Sequence, residues 1–139
     1  MSLFVLSKKW LNISFRVHGL NRTGCDCIGL VIGVLYENGI LNNKNVEKYK
    51  KIKYGNNLLK IDKEQMLNEI LQYFNEVQDI TRSDLLIVKC KNSPIHFIIY
   101  EKGRIPEKAK IIHVTKEVGH VFMSNFDKNL EIIGMFCLK

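Results

Sequence analysis

Gly24-Cys25-Asp26-Cys27-Ile28-Gly29-Leu30-Val31 marks the place where a polar loop turns into a helix. Asp26 is a residue type whose carboxylate caps a helix start, and Leu30, Val31, Val34 and Leu35 then fall on one apolar face. Gly29 and Gly33 cost helix stability, so their presence points to close packing against a neighbour. Asn38-Gly39 ends the element. Cys27 then lies in the first turn, where unpaired backbone amides and the positive end of the helix dipole favour a thiolate and lower the pKa. The same amides could form an oxyanion hole. Cys25 lies outside the helix and gains less.

Upstream, Ser2 to Leu11 reads as a short helix, with Leu3, Leu6 and Trp10 at helical spacing. Asn12 to Gly24 is polar and irregular, with Gly19, Asn21 and Gly24 as breakers. Downstream, Lys44 to Asn57 is basic and reads as a surface excursion. Asp62 and Gln65 resemble a capping box leading into Met66, Leu67, Ile70, Leu71, Phe74 and Val77, which predicts an amphipathic helix. After Asp79 the texture changes. Leu85-Cys90, Ile95-Tyr100, Lys110-Val114, Val118-Met123 and Glu131-Leu138 are short, β-branched or aromatic segments between turn residues. Helices first and an antiparallel sheet afterwards predict an α+β fold in one domain spanning residues 1–139.

A chain of 139 residues, 46% hydrophobic and 25% charged, can bury one real core and is not compositionally disordered. No apolar run reaches the roughly 20 residues needed to span a bilayer, so no membrane partner is expected. The apolar patch before Lys8-Lys9 has the wrong order for a signal peptide, which predicts synthesis in the cytoplasm without one. Four cysteines do not suggest a disulfide framework, since Cys25 and Cys27 are too close in sequence to bridge without strain. The formal charge of +7 is first a solvated lysine surface, and second a hint of an anionic partner such as cell-wall polymer.

Two histidines complete the chemistry. In Ile95-His96-Phe97-Ile98-Ile99-Tyr100, strand alternation puts His96, Ile98 and Tyr100 on one face and Ile95, Phe97 and Ile99 on the other. His113 stands in Ile111-Ile112-His113-Val114 on the next strand. Each alone reads as a paired core histidine, and each cysteine alone as a small buried hydrophobe. Together, a thiol on a helix start and imidazoles from a sheet form the arrangement of a nucleophile, its base and an orienting partner.

The runs Trp10-Leu11-Asn12-Ile13-Ser14-Phe15-Arg16 and Gly24 to Val31 resemble the N-terminal signature of NlpC-type cell-wall cysteine peptidases, closest to the short subgroup encoded with phage tails and gene transfer agents. Arg82-Ser83-Asp84-Leu85-Leu86 resembles that family's Pro-Gly-Asp-hydrophobic strand start, His96-Phe97-Ile98-Ile99-Tyr100 its histidine strand, and Ile111-Ile112-His113-Val114 its third polar position. The resemblance covers nearly the whole chain in order; residues 44–78 match only in length and helical character. It implies a papain-like fold with the cysteine helix packed on a small antiparallel sheet. It implies Cys27 as nucleophile, His96 as general base and acid, and His113 as the group orienting His96. Phe15, Arg16 and Asp26 are implied to contact substrate, and no cofactor or metal is implied. The expected reaction is hydrolysis of an amide in the peptidoglycan stem peptide, commonly between D-glutamate and a diamino acid. Without a secretion signal, the expected setting is a phage-like tail particle acting at the cell wall, with tail proteins as partners. Ile28, Ser14 and Ser83 replace the usual serine, proline and glycine, and Phe15 lacks the hydroxyl of the usual tyrosine.

Two rival readings follow. Cys-x-Cys with isolated histidines is a poor match to structural zinc spacing. A papain-like module without turnover could bind an anionic polymer or a tail protein through basic residues 44–63; nucleic acid is disfavoured because aromatics beyond Tyr49 and Tyr54 do not interleave with those basic residues.

Overall fold

The computed structural model describes residues 2–51, 68–90 and 93–139. Ser2 caps α1 (Leu3–Ser7) through its hydroxyl, and a 3-10 turn at Lys8–Trp10 continues it, as the apolar spacing predicts. A two-stranded hairpin, β1 (Leu20–Asn21) and β2 (Gly24–Cys25), precedes α2 (Cys27–Glu37). Asp26 caps α2 and Asn38 closes it, with Gly39 in the left-handed region at φ 74°. The basic segment begins as α3 (Asn43–Lys51), a helix lying on the surface with most of its side chains exposed; residues 52–57 lie outside the described residues. Reciprocal bonds between the Asn42 and Asn45 side chains and backbone amides stitch its start.

Of the helix expected from Met66 to Val77, residues 68–71 are helical; Asp62, Gln65, Met66 and Leu67 lie outside the described residues. Its other end is a correction. Phe74–Glu76 forms β3, paired with β8 (Glu131–Leu138) in the register Phe74↔Leu138. Between them run β4 (Leu85–Cys90), β5 (Ser93–Tyr100), β6 (Lys110–Val114) and β7 (Val121–Asn125), giving an antiparallel six-stranded sheet in the order β3-β8-β4-β5-β6-β7. The strand expected at Val118-Met123 starts later, because Gly119 turns the chain at φ 87°. The fold is α+β: one small antiparallel hairpin and one larger antiparallel sheet.

Alternation along β4 and β5 sorts two cores. Leu85, Ile87, Phe97 and Ile99 pack with α2 on one face, together with Ile112 and Val114 of β6. Leu86, Val88, Ile98, Tyr100 and Ile111 form a second cluster on the other face, covered by Ile80, Phe126 and Leu130 from connecting segments. Helix α2 is buried from Cys27 through Leu35, deeper than a single apolar stripe requires. Its two glycines make that burial possible. A Cβ on Gly29 would lie 1.7 Å from the Gly19 carbonyl oxygen, and one on Gly33 would strike the Trp10 ring at 2.4 Å.

Asp84 joins the ends of the chain. Its fully buried carboxylate accepts the Leu3 amide at 3.1 Å, the Leu138 amide at 2.9 Å and the Lys102 ammonium at 3.3 Å. Removing it strands two backbone donors, one of them fully buried, and an ammonium, whereas the Lys89–Glu131 pair at 4.0 Å is largely solvated. Asp84→Ala is expected to cost about 3 kcal/mol of unfolding free energy, and Glu131→Ala under about 0.5 kcal/mol, in urea denaturation at neutral pH. Similar losses at both positions would refute the clamp.

Candidate active site

The site begins with the cap. Asp26 receives the Gly29 amide on Oδ1 at 2.7 Å and the His18 amide on Oδ2 at 3.0 Å. Those bonds tie the 16–19 loop to the first turn of α2 and leave Cys27 as its first residue. The strap formed by residues 12–16 closes one side. Phe15 bridges Cys25 and donates its amide to the Gly119 carbonyl at 2.8 Å, while the Arg16 amide bonds the Cys25 carbonyl at 3.1 Å. Phe15 is half-buried and the Arg16 side chain is exposed, so both lie against the cysteine loop, and Asp26 lies beneath it.

The sheet supplies the opposite side. At the end of β5, the Tyr100 amide donates to the carbonyl of Asp84, just before β4, and the next amide, Glu101, donates to Lys110 on β6. By this alternation the Phe97 amide faces β6. The paired register between β5 and β6 stops at Ile99↔Ile112, although both strands continue. Where the ladder ends, the Phe97 N–H points at the Cys27 sulfur, alongside the amides of Cys27 and Ile28. A strand amide lies in the sheet plane, so its acceptor sits at the strand edge, within reach of side chains from either face. The sulfur therefore abuts the peptide that joins His96 to Phe97.

His96 and His113 meet across the same gap, with His96 Nε2 3.0 Å from His113 Nδ1. The Phe122 ring packs on His113 at a centroid separation of 4.3 Å and holds its plane. Because Nε2 of His96 is engaged by His113, Nδ1 is the nitrogen left for a thiol proton. Among the described residues no hydrogen bond yet joins the Cys27 sulfur to either ring. The structure thus sets the Cys27 sulfur against the amide that follows His96 and joins the two imidazoles to each other, with no bond between sulfur and ring. Ser124, which nothing in its local sequence distinguishes, lies beyond His113 with Oγ 3.5 Å from Nε2.

The electrostatics correct one expectation. Burial, then the Asp26 carboxylate, push the Cys27 thiol up to about 12, outweighing the three amides that pull it down. Cys27 is only 6% exposed, and desolvation of a thiolate there exceeds what the helix terminus returns. Cys25, fully buried on β2, is also raised to about 12. Burial drives His96 down to about 4, with His113 adding to the shift, and burial alone does the same to His113. The resting pair is a neutral thiol and a neutral imidazole.

Cys25, Cys27 and Cys137 are free thiols. Among the described residues no group of three or more His, Cys, Asp or Glu side chains is placed to hold a metal ion, and no helix is long and apolar enough to cross a membrane.

The depressed imidazoles fix a sign for pH dependence. As pH falls from the free value of 6.5, the unfolded chain binds protons that the folded rings refuse down to about 4, so these groups lower stability across that window. NMR titration should find both rings neutral at about pH 5, and urea midpoints should decline from pH 6.5 towards 4. Either ring titrating at its free value would contradict the burial described. In the same neutral state, iodoacetamide should alkylate Cys27 slowly at pH 7; rapid modification would reveal a preformed thiolate. No protein-family model, no curated protein and no solved structure matches the chain.

Proposed function

We propose that this protein is a cysteine peptidase of the NlpC type with a papain-like fold, hydrolysing an amide in the stem peptide of peptidoglycan, the bond between D-glutamate and a diamino acid being the expected one. The observation that supports the reading is the Phe97 amide on the Cys27 sulfur, which sets the thiol at the start of α2 next to the β5 peptide of His96, itself hydrogen-bonded to His113. A pure binding surface has no need of a thiol, a strand-edge amide on its sulfur and two hydrogen-bonded imidazoles in one gap.

In this reading the Cys27 sulfur attacks the scissile carbonyl while its proton passes to His96 Nδ1. The negative charge that develops on the carbonyl oxygen is met by backbone amides at the α2 N-terminus. The tetrahedral intermediate collapses, the C–N bond breaks, and His96 returns the proton to the leaving amine, leaving a thioester on Cys27. Water, deprotonated by His96, adds to the thioester; the sulfur leaves and takes up the proton, and the new carboxylic acid departs. His113 orients His96 throughout. Phe15 and Arg16 lie beside the cysteine loop, where a half-buried apolar ring and an exposed cation suit a peptide bearing carboxylates. The proposed setting is a phage-like tail particle that meets the cell wall, with tail proteins as neighbours.

One observation favours a second reading. A sulfur 6% exposed with its thiol pushed up to about 12 suits a papain-like module that binds an anionic polymer or a tail protein without turnover. Mass spectrometry of defined muropeptides separates the two. The peptidase reading expects cleavage by the wild type, none by Cys27→Ala with its fold intact, and substantial activity in Cys25→Ala. Wild-type protein that leaves every stem composition uncut, yet binds wall polymer with an affinity that falls steeply with salt, would favour the binding module.

A further inference from the structure

We infer that Ser124 is a positioning residue of the same site: its hydroxyl accepts the Nε2–H of His113 and thereby sets the proton arrangement of both imidazoles. This deepens the peptidase reading and rests on it for its purpose. The placement comes from the sheet register. His113 pairs with Phe122 and Ile111 with Ser124, so Phe122 and Ser124 share the His113 face of β7, one beside the ring and one diagonal to it. Phe122 fixes the plane of the imidazole at 4.3 Å, and within that plane its two nitrogens have one partner each. Nδ1 faces His96 Nε2 at 3.0 Å, and Nε2 faces Ser124 Oγ at 3.5 Å, the outer limit of a hydrogen bond.

The direction of the chain follows from what His96 must do. To take the Cys27 proton, His96 Nδ1 must be bare, and a neutral ring then carries its own proton on Nε2. That proton needs an acceptor, so His113 Nδ1 must be bare as well. The proton of His113 is then on Nε2, and Ser124 Oγ is the acceptor found there. When His96 becomes an imidazolium during attack, the order of donors is unchanged: His96 Nε2–H to His113, and His113 Nε2–H to Ser124. A serine accepts without bringing a negative charge into the gap, which agrees with two rings that rest neutral. The 3.5 Å separation can shorten when the charge forms.

The reverse arrangement has equal standing in a ring pair alone. There His113 carries its proton on Nδ1 and donates to His96, whose Nδ1–H then faces the sulfur as a donor. That state cannot act as a base. Ser124 matters because it gives the productive tautomer of His113 a partner.

The test uses the full chain with 15N-labelled histidine side chains and three proteins: wild type, Ser124→Ala and Ser124→Thr. Long-range 1H–15N spectra at neutral pH distinguish protonated from bare ring nitrogens. The expected result is His113 protonated on Nε2 in wild type and Ser124→Thr, and a mixture of tautomers in Ser124→Ala. On stem peptide, Ser124→Ala should lower kcat about three- to tenfold, the loss of one ordinary hydrogen bond, with KM unchanged, and Thr should restore it. His113 protonated on Nδ1 in wild type, or a tautomer indifferent to Ser124→Ala, overturns the assignment. A wild type that never cleaves peptide defeats the peptidase reading alone, because the tautomer readout needs no turnover.

Discussion

The carboxylate of Asp26 is the interaction on which the geometry of this protein turns. One oxygen caps α2 through Gly29 and the other holds the His18 amide, so the loop before the helix and the helix itself are fixed to one group. That bond pair brings the Gly19 carbonyl against Gly29, where only a hydrogen fits, and sets Cys27 as the first helical residue. Everything chemical follows from the sulfur's position at the end of a buried helix. The same carboxylate has a cost, since its charge raises the pKa of the thiol it positions. Precise placement and thiolate stability are therefore in tension, and placement has prevailed.

The sheet resolves half of that tension. By ending the β5–β6 ladder at Ile99↔Ile112, it frees the Phe97 amide to point at the sulfur and opens a gap that the His96 and His113 rings span. Asp84 holds the frame around this gap by tying the first turn of α1 and the last strand to the start of β4. In the proposed peptidase, neutral resting groups are then an advantage. In that reading the buried site keeps the thiol protonated until a carbonyl arrives to share the displaced charge with the α2 amides. Burial of this kind also protects the sulfur from adventitious oxidation.

Much of this was legible in the residues. Leu85–Cys90, Lys110–Val114 and Glu131–Leu138 begin and end where β-branched runs meet turn residues, and Asp26 caps where its side chain and position indicate. The two-faced reading of β5 also matches the two cores, because alternation is a local property. The misreadings have different causes. Phe74 fits a helical repeat locally, but the free edge of β8 recruits Phe74–Glu76 into the sheet, and tertiary pairing overrides spacing. Val118 has strand character, yet Gly119 imposes the turn.

The site was half legible. Cys27, His96 and His113 are visible as residue types in a suggestive order, whereas Ser124 emerges only from the register of β7 on β6. The raised thiol was hidden for a different reason: a helix terminus is written in the sequence, but depth of burial is not. The central claim is that Cys27 and His96 act as one unit, and a double-mutant cycle on kcat/KM for a defined stem peptide tests it most directly. Cys27→Ala, His96→Ala and the double variant should all fall to the same floor, since neither partner works alone. Losses that add independently, or a His96→Ala protein that still cleaves near the wild-type rate, would contradict the account.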